Sequence, residues 1–496
     1  MKTILISLLL LSTGYYSYAQ YTFVPSTSVF QGLSGGDLQM GDLNNDGFPD
    51  IIMSGFDNTG SMLTEIYLND GQGDFILSSN QPFVGYVDVT IILTDVNGDG
   101  SLDVLFNGEK ENTGLTMEYY ENLNIPNTVD FQFVGGFTGG PAALRSSTVW
   151  ADLNNDGNMD IVYSGYQIGV GVFIWYLLGD GSGNFANAVM VPGTMGACAG
   201  SLIAQDIDGD GDIDLFVVGF DSDDMVDPKT RMYKNKIAEG GGFNFEEITG
   251  LPFMDMSISL AKAEDVDGDG RLDLFLSGRN QIGEIETRLY YQSSPFNFVE
   301  DKASGDFDGI VDGDMALADI DGDGDIDIIV SGFATDNNGD DIITTTLYIN
   351  DFKNGGSGNY TKVPGLNFQG AGSGNLGMMD IDGDGDIDII VSGFDDYNST
   401  DSYTTLYYNK TPQVSSITSY EGATWVVYPN PTDGVFMIHT SDHLNDSSIE
   451  VYSLLGEAIT SAKIVNNATC IDLSNYPAGV YILNLNNQQT YKIVKY

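Results

Sequence analysis

Apolar residues in this chain fall into short unbroken runs, not into helical periods. The most regular are residues 51–55, 328–332 and 389–393 (IIMSG, IIVSG, IIVSG), each behind an aspartate and ending in glycine. They are too short for helices and do not alternate, so they predict strands buried on both faces. A second run follows 17 to 21 residues after that aspartate, around Tyr67, Tyr348 and Tyr407 (IYLN, LYIN, LYYN), and predicts another strand. A glycine-rich turn then leads to an aromatic-led segment at Phe75, Phe133, Phe185, Phe245, Phe298 and Tyr360, and a short strand precedes the next unit. Seven such four-stranded units predict an all-β chain whose main body is a seven-bladed β-propeller. The seventh unit has no aromatic-led segment of its own. Residues 21–25 (YTFVP) mirror 360–364 (YTKVP), so the N-terminal segment is expected to supply the outer strand of the last blade and close the ring.

Between the first and second strand of every unit stands a nine-residue loop with an oxygen-bearing side chain at positions 1, 3, 5 and 9 and glycine at 6. The candidate ligands are Asp42, Asn44, Asp46 and Asp50; Asp95, Asn97, Asp99 and Asp103; Asp152, Asn154, Asp156 and Asp160; and Asp206, Asp208, Asp210 and Asp214. They continue with Asp265, Asp267, Asp269 and Asp273; Asp319, Asp321, Asp323 and Asp327; and Asp380, Asp382, Asp384 and Asp388. This spacing turns alternate side chains inward around a hard cation, with a backbone carbonyl at position 7 expected to complete the shell. Oxygen donors without His or Cys select Ca²⁺ over zinc or copper, and up to seven ions are expected, one per blade. Position 12, where a helix–loop–helix calcium site needs glutamate, holds Met53, Val217, Val330 and Val391, which excludes an EF-hand. Two carboxylates 4 Å apart repel by about 4 kcal/mol at an effective dielectric of 20, so the cation is expected to be structural. The three loops with Asn at position 3 carry less charge and are expected to bind more weakly.

Composition narrows the partners. Acids number 71 against 18 Lys plus Arg, for a net charge of −53, which excludes a nucleic-acid partner and disfavours anionic membrane surfaces. Apolar residues at 42% are too many for a disordered acidic tail, so the chain folds. Cys198 and Cys470 lie too far apart in sequence to form a disulfide framework or metal cluster. Lys2, the apolar residues 4–11 and the small residues Ser17 and Ala19 predict a signal peptide over 1–19, cut before Gln20. No later stretch reaches the roughly 20 apolar residues of a transmembrane helix, so a secreted or outer cell-surface protein is expected.

The loop, with its trailing Ser54-Gly55-Phe56, Ser331-Gly332-Phe333 and Ser392-Gly393-Phe394, resembles the FG-GAP or VCBS repeats of integrin α-subunit propellers and secreted bacterial proteins. The likeness spans the propeller region, 20–410. It implies calcium loops on one face and partner docking on the other, through the loops between second and third strands and between blades. A polar linker over 411–421 separates this region from 422–496. There Val427-Tyr428-Pro429-Asn430-Pro431, Gly434, IEVYSLLG at 449–456, LSNYPAGVYIL at 473–483 and a terminal KIVKY resemble the C-terminal sorting domain of type IX secretion substrates. That resemblance implies a small β-sandwich read by the type IX secretion machinery.

Residues 20–420 contain no histidine, which removes Ser/His/Asp and Cys/His schemes, and no catalytic set is assigned. The non-repeat candidates for chemistry are the loops 221–231, 279–288 and 336–341, read as solvated; Trp150 and Trp175 are read as core. The expectation is a non-catalytic recognition or adhesion module for an extracellular protein or glycan. The alternative is a polysaccharide lyase, or another carbohydrate-active enzyme, on a calcium propeller.

Overall fold

Six four-stranded antiparallel meanders occupy residues 34–77, 86–136, 144–190, 198–248, 256–300 and 311–362, and a seventh sheet begins with three strands over 372–409. The computed structural model describes residues 21–411 and 425–495, apart from 137–143, 168, 223, 302–306, 337–338, 353–359, 397–400, 429–434, 441–447, 454–457, 464–467, 474–475, 477–478 and 486–488. The expected signal peptide and residues 412–421 of the expected linker lie outside the described residues.

The seventh sheet is completed from the other end of the chain. Phe23–Pro25 pairs antiparallel with Ser402–Asn409, Phe23 opposite Asn409 and Pro25 opposite Tyr407. The first strand of each blade packs against its two neighbours, and that of the seventh against that of the first. The ring is therefore closed, by the N-terminal segment, as the mirrored YTFVP and YTKVP predict. Deleting residues 20–26 is expected to lower the melting temperature by several degrees in differential scanning fluorimetry. An unchanged value would show that the strand adds nothing to closure.

Each second strand opens with six consecutive buried residues, as in Asp50–Phe56 and Asp388–Phe394, in agreement with their unbroken apolar sequence. All seven first-to-second strand pairs slip register near their start, as between Ser34 and Asp37 or Val311 and Asp314. Such a bulge bends a strand. Its turning residue has positive φ whatever its type: Gly35, Asp88, Ala199, Ile258, Asp312 and Ser373 lie between 42° and 65°. These six line a cavity of ≈470 Å³ bounded by residues from all seven first strands.

Two fourth strands differ from the aromatic-led expectation. In the second blade Phe131 is the buried residue and Phe133 is 51% exposed, because the strand starts earlier, at Phe131–Gly136. In the third blade Phe185 makes only an isolated bridge to Gly179, and the strand is Val189–Met190. Trp175 is buried and Trp150 packs on the same core cluster, as expected of core residues.

A second compact unit begins after Pro412. It holds a three-stranded and a four-stranded antiparallel sheet that share a core of Ile438, Ile449, Val451, Ile471, Leu473, Tyr481 and Leu483, the arrangement of a small sandwich.

Candidate metal loops and the seams they tie

Local chemistry explains why the loops take one shape. Position 2 is aliphatic in every loop (Leu43, Val96, Leu153, Ile207, Val266, Ile320, Ile381) and buried, which pins the loop to the core. Position 4 is left-handed, at Asn45 and Asn155 or at glycine, and glycine 6 has φ from 87° to 96° in all seven, where a Cβ would be strained. The position-1 carboxylate accepts the N–H of glycine 6 throughout, from Gly47 to Asp42 at 2.8 Å and from Gly385 to Asp380 at 3.1 Å. Positions 3 and 5 each accept a backbone N–H two residues on, as from Asp323 to Asp321 and Asp325 to Asp323. The aspartates at positions 3 and 5 thus have one oxygen fixed by backbone and a second outside that bonding, whereas at position 1 of six loops both oxygens accept backbone N–H groups.

Carboxylate oxygens converge within 4.8 Å at Asp206, Asp208 and Asp210; at Asp265, Asp267 and Asp269; at Asp319, Asp321 and Asp327; and at Asp380, Asp382 and Asp388. In the first three loops the asparagine amide interposes. Asn44 and Asn154 donate to the position-5 carboxylates of Asp46 and Asp156 at 2.9 and 3.0 Å, and Asn97 donates to Glu121 at 3.0 Å, a carboxylate outside the motif. A further acidic group joins Asp210 to Asp212 and Glu239.

The position-9 aspartate does more than complete the loop. Its burial is total, or within 1% of it, in every blade. One oxygen accepts the N–H of position 2, as from Ile320 to Asp327 at 2.9 Å, and the other accepts the N–H at the end of the third strand, as from Asn350 at 2.8 Å. Burial, reinforced by the loop's other carboxylates and opposed by these two N–H donors, pushes Asp50, Asp214, Asp273 and Asp388 up to about 7 and Asp327 to about 8. Asp103 and Asp160 rise to about 6.

The third-strand residue that meets this aspartate is a seam residue, and the sequence reading missed its role. Its side-chain amide donates to the position-2 carbonyl of the preceding blade. Asn122 reaches Leu43, Asn235 reaches Leu153, Gln292 reaches Ile207, Asn350 reaches Val266, Asn409 reaches Ile320 and Asn69 reaches Ile381, all at 2.9–3.1 Å. The third blade has Gly179 there, so the seam between blades two and three lacks the bond. On the opposite edge the serine of the trailing element ties five of the seven blades forward: Ser54 to Tyr86, Ser164 to Ala197, Ser277 to Ile310, Ser331 to Ala371 and Ser392 to Leu33, the second and fourth blades having Asn107 and Val218 there. The signal for both belts is the repeated Asn and Ser themselves.

These features define a seven-bladed propeller whose acidic inter-strand loops could hold metal ions and also anchor the seams. Residues 42–106, 95–163 and 265–330 match the FG-GAP-like repeat family, and residues 426–496 match the secretion system C-terminal sorting domain. The chain therefore carries FG-GAP-like repeats in its propeller and a type IX sorting domain behind it, which makes it a secreted, cell-surface protein. It is 29% identical over 139 residues to the T-cell immunomodulatory protein homolog of Plasmodium yoelii yoelii, a match covering 24% of this chain and 19% of that protein. Among solved structures it is similar to PorZ, a surface component of the type IX secretion system of Porphyromonas gingivalis, at 11% identity and TM-score 0.37, covering 92% of this chain and 59% of that one. It is similar also to the Tc holotoxin pore of Photorhabdus luminescens, at 13% identity and TM-score 0.33, covering 91% and 22%. Among the described residues no helix is long and apolar enough to cross a membrane.

Proposed function

We propose that this is a calcium-stabilised recognition or adhesion propeller that binds a protein or glycan, without catalysis, on the face opposite its acidic loops. The donor chemistry fits calcium: carboxylate and amide oxygens only, in loops whose aspartates at positions 3 and 5 each keep one oxygen outside the backbone bonding. Asp319 Oδ1 is buried without a hydrogen-bond partner beside the converging Asp321 and Asp327, an orphan that a cation would satisfy. In each loop the side chains at positions 1, 3, 5 and 9 would hold the ion, whose charge offsets their mutual repulsion. The position-9 aspartate carries that stabilisation to the seam.

The observation that carries the recognition reading is a division between the two faces. On the acidic face the motif side chains are committed to loop and seam. Opposite, the loops between second and third strands present Val226 and Ile282, 74% and 79% exposed, and Met254 and Ile282 line a depression of ≈220 Å³ with Asp255, Asn280 and Gln281. An apolar floor with carboxylate and amide groups suits a glycan or a polar peptide. The cations of these loops are tied: Arg231 to Asp221 at 2.7 Å, and Arg288 to Glu286 and Glu300.

Glycan-array and surface-protein screens of the full-length protein are expected to give binding without release of unsaturated uronate products. The double variant V226D/I282D should weaken binding by about tenfold, the scale of one hot-spot contact, without moving the melting temperature. Turnover on any polyanionic glycan would overturn the reading.

A further inference from the structure

We propose that the second loop modifies itself: the backbone nitrogen of Gly98 attacks the side-chain amide of Asn97, ammonia leaves, and the loop gains a fourth carboxylate. Four Asn-Gly pairs occur in the chain, at 97–98, 107–108, 338–339 and 354–355. Asn338 and residues 354–355 lie outside the described residues. Asn107 is fully buried within the strand Asp103–Lys110, which holds its backbone extended. Asn97 is instead half-buried beside an exposed Gly98, in a loop where every group the reaction uses has a partner.

The reacting atoms are already hydrogen-bonded in the sense that the reaction needs. The Gly98 N–H donates to Asp95 Oδ1 at 2.8 Å, within reach of a base that draws off its proton. Asn97 Oδ1 accepts the Asp99 N–H at 2.9 Å, a donor that stabilises the negative charge gathering on that oxygen as the nitrogen adds. The leaving group, Asn97 Nδ2, donates to Glu121 Oε1 at 3.0 Å. Attack joins the Gly98 nitrogen to Cγ of Asn97 as a succinimide; the bond from Cγ to Nδ2 breaks, and that nitrogen departs as ammonia with the proton that Gly98 gave up. Water then opens the ring. Cleavage of the new bond at Cγ gives aspartate, cleavage at the main-chain carbonyl of residue 97 gives isoaspartate, and either product exchanges one amide for one carboxylate.

Glycine separates this loop from the two other asparagine-bearing ones. Asn44 and Asn154 are followed by Asn45 and Asn155, whose side chains crowd the nitrogen that would attack, and their own amides donate within the loop to Asp46 and Asp156. Gly98 has no Cβ, and its φ of 74° falls among the 72–79° of Gly209, Gly268, Gly322 and Gly383 in the all-aspartate loops. Conversion to aspartate turns DVNGDGSLD into DVDGDGSLD, the pattern of the fifth loop (DVDGDGRLD), on a backbone that already has that shape. The new carboxylate meets Glu121 where the amide had bonded it, and a cation relieves the repulsion that results.

The test is peptide mapping by mass spectrometry of full-length protein held in EGTA at pH 8 below its melting temperature. When half of Asn97 has converted, Asn44 and Asn154 should be intact, and G98N, which gives the second loop the Asn-Asn step of the first and third, should abolish conversion. Conversion in the folded protein should also outpace that of the urea-unfolded chain, where Asp95, Asp99 and Glu121 are no longer held around the amide. Asn97 unchanged, loss of Asn44 or Asn154 at the same rate, or faster conversion in urea would overturn the inference, and these comparisons within the unaltered protein decide it if G98N does not fold. One further arm rests on the calcium reading: with an ion held by Asp95 and Asn97 Oδ1, both groups are taken out of the reaction, so added calcium should slow conversion. Equal rates with and without calcium would remove the ion from this loop and leave the modification standing.

Discussion

Stripping calcium with EGTA at pH 8 is expected to lower the melting temperature of the full-length protein by at least about 13 °C. Ions in the four all-aspartate loops alone, each present at about 100 times its dissociation constant, would stabilise the folded state by about 11 kcal/mol through mass action. Over residues 21–411 the unfolding entropy is about 0.8 kcal/mol/K at the usual value per residue. The shift should depend on pH in a direction set by the position-9 aspartates. Their pKa values in the metal-free fold, about 6 to 8, lie above the ordinary 3.8. The metal-free folded state therefore binds protons more tightly than the unfolded chain. Its stability from these groups is complete below about pH 4 and is lost as pH rises through 6 to 8. EGTA-treated protein should melt higher at pH 5.5 than at pH 8. With calcium the order should reverse, because protons compete with the ion for the same oxygens. Scanning fluorimetry at the two pH values, with and without chelator, reads all four cases. An EGTA-insensitive melt at pH 8, or a metal-free form that gains stability with pH, would contradict the structural role of the cation.

What the sequence could reveal followed from how local each feature is. The seven loops, the buried second strands and the closing N-terminal strand were legible because each repeats within one blade, and a repeat exposes the strand missing after 402–409. The seams were not. The amide of Asn235 meets a carbonyl 82 residues earlier and that of Asn409 one 89 residues earlier, so the partner is fixed only once the blades stand side by side. The bulges were hidden for a different reason. Asp88, Ala199 and Ile258 take a left-handed backbone that glycine usually announces, and tertiary packing imposes it on residues with no such preference. The spacing identified Asp50 and its equivalents as loop residues, but their bond to the third strand needed the fold.

That bond makes Asp327 the most consequential single side chain of its blade. Replacing it with alanine leaves the N–H groups of Ile320 and Asn350 buried without acceptors, each costing about 1–3 kcal/mol, so D327A should lose about 3–5 kcal/mol and melt about 5 °C lower in calcium. The loss should be smaller in EGTA, where removing one carboxylate also relieves repulsion in the loop. N350A should keep the loop and lose the seam, since its amide donates to Val266 at 3.1 Å in the fifth blade and to Ile326 at 3.2 Å in its own. The third blade supplies an internal comparison. Gly179 cannot be replaced by asparagine there, because a Cβ would stand 2.2 Å from the Met159 carbonyl oxygen. The seam between blades two and three is therefore the native equivalent of N350A. Hydrogen exchange should find faster opening around Val96 than around the position-2 residues of the other loops, and N350A should bring Val266 to a similar rate. If D327A melts within 1 °C of the unaltered protein, or if Val96 exchanges no faster than Leu43, the aspartate and its amide partner do not hold the ring as argued.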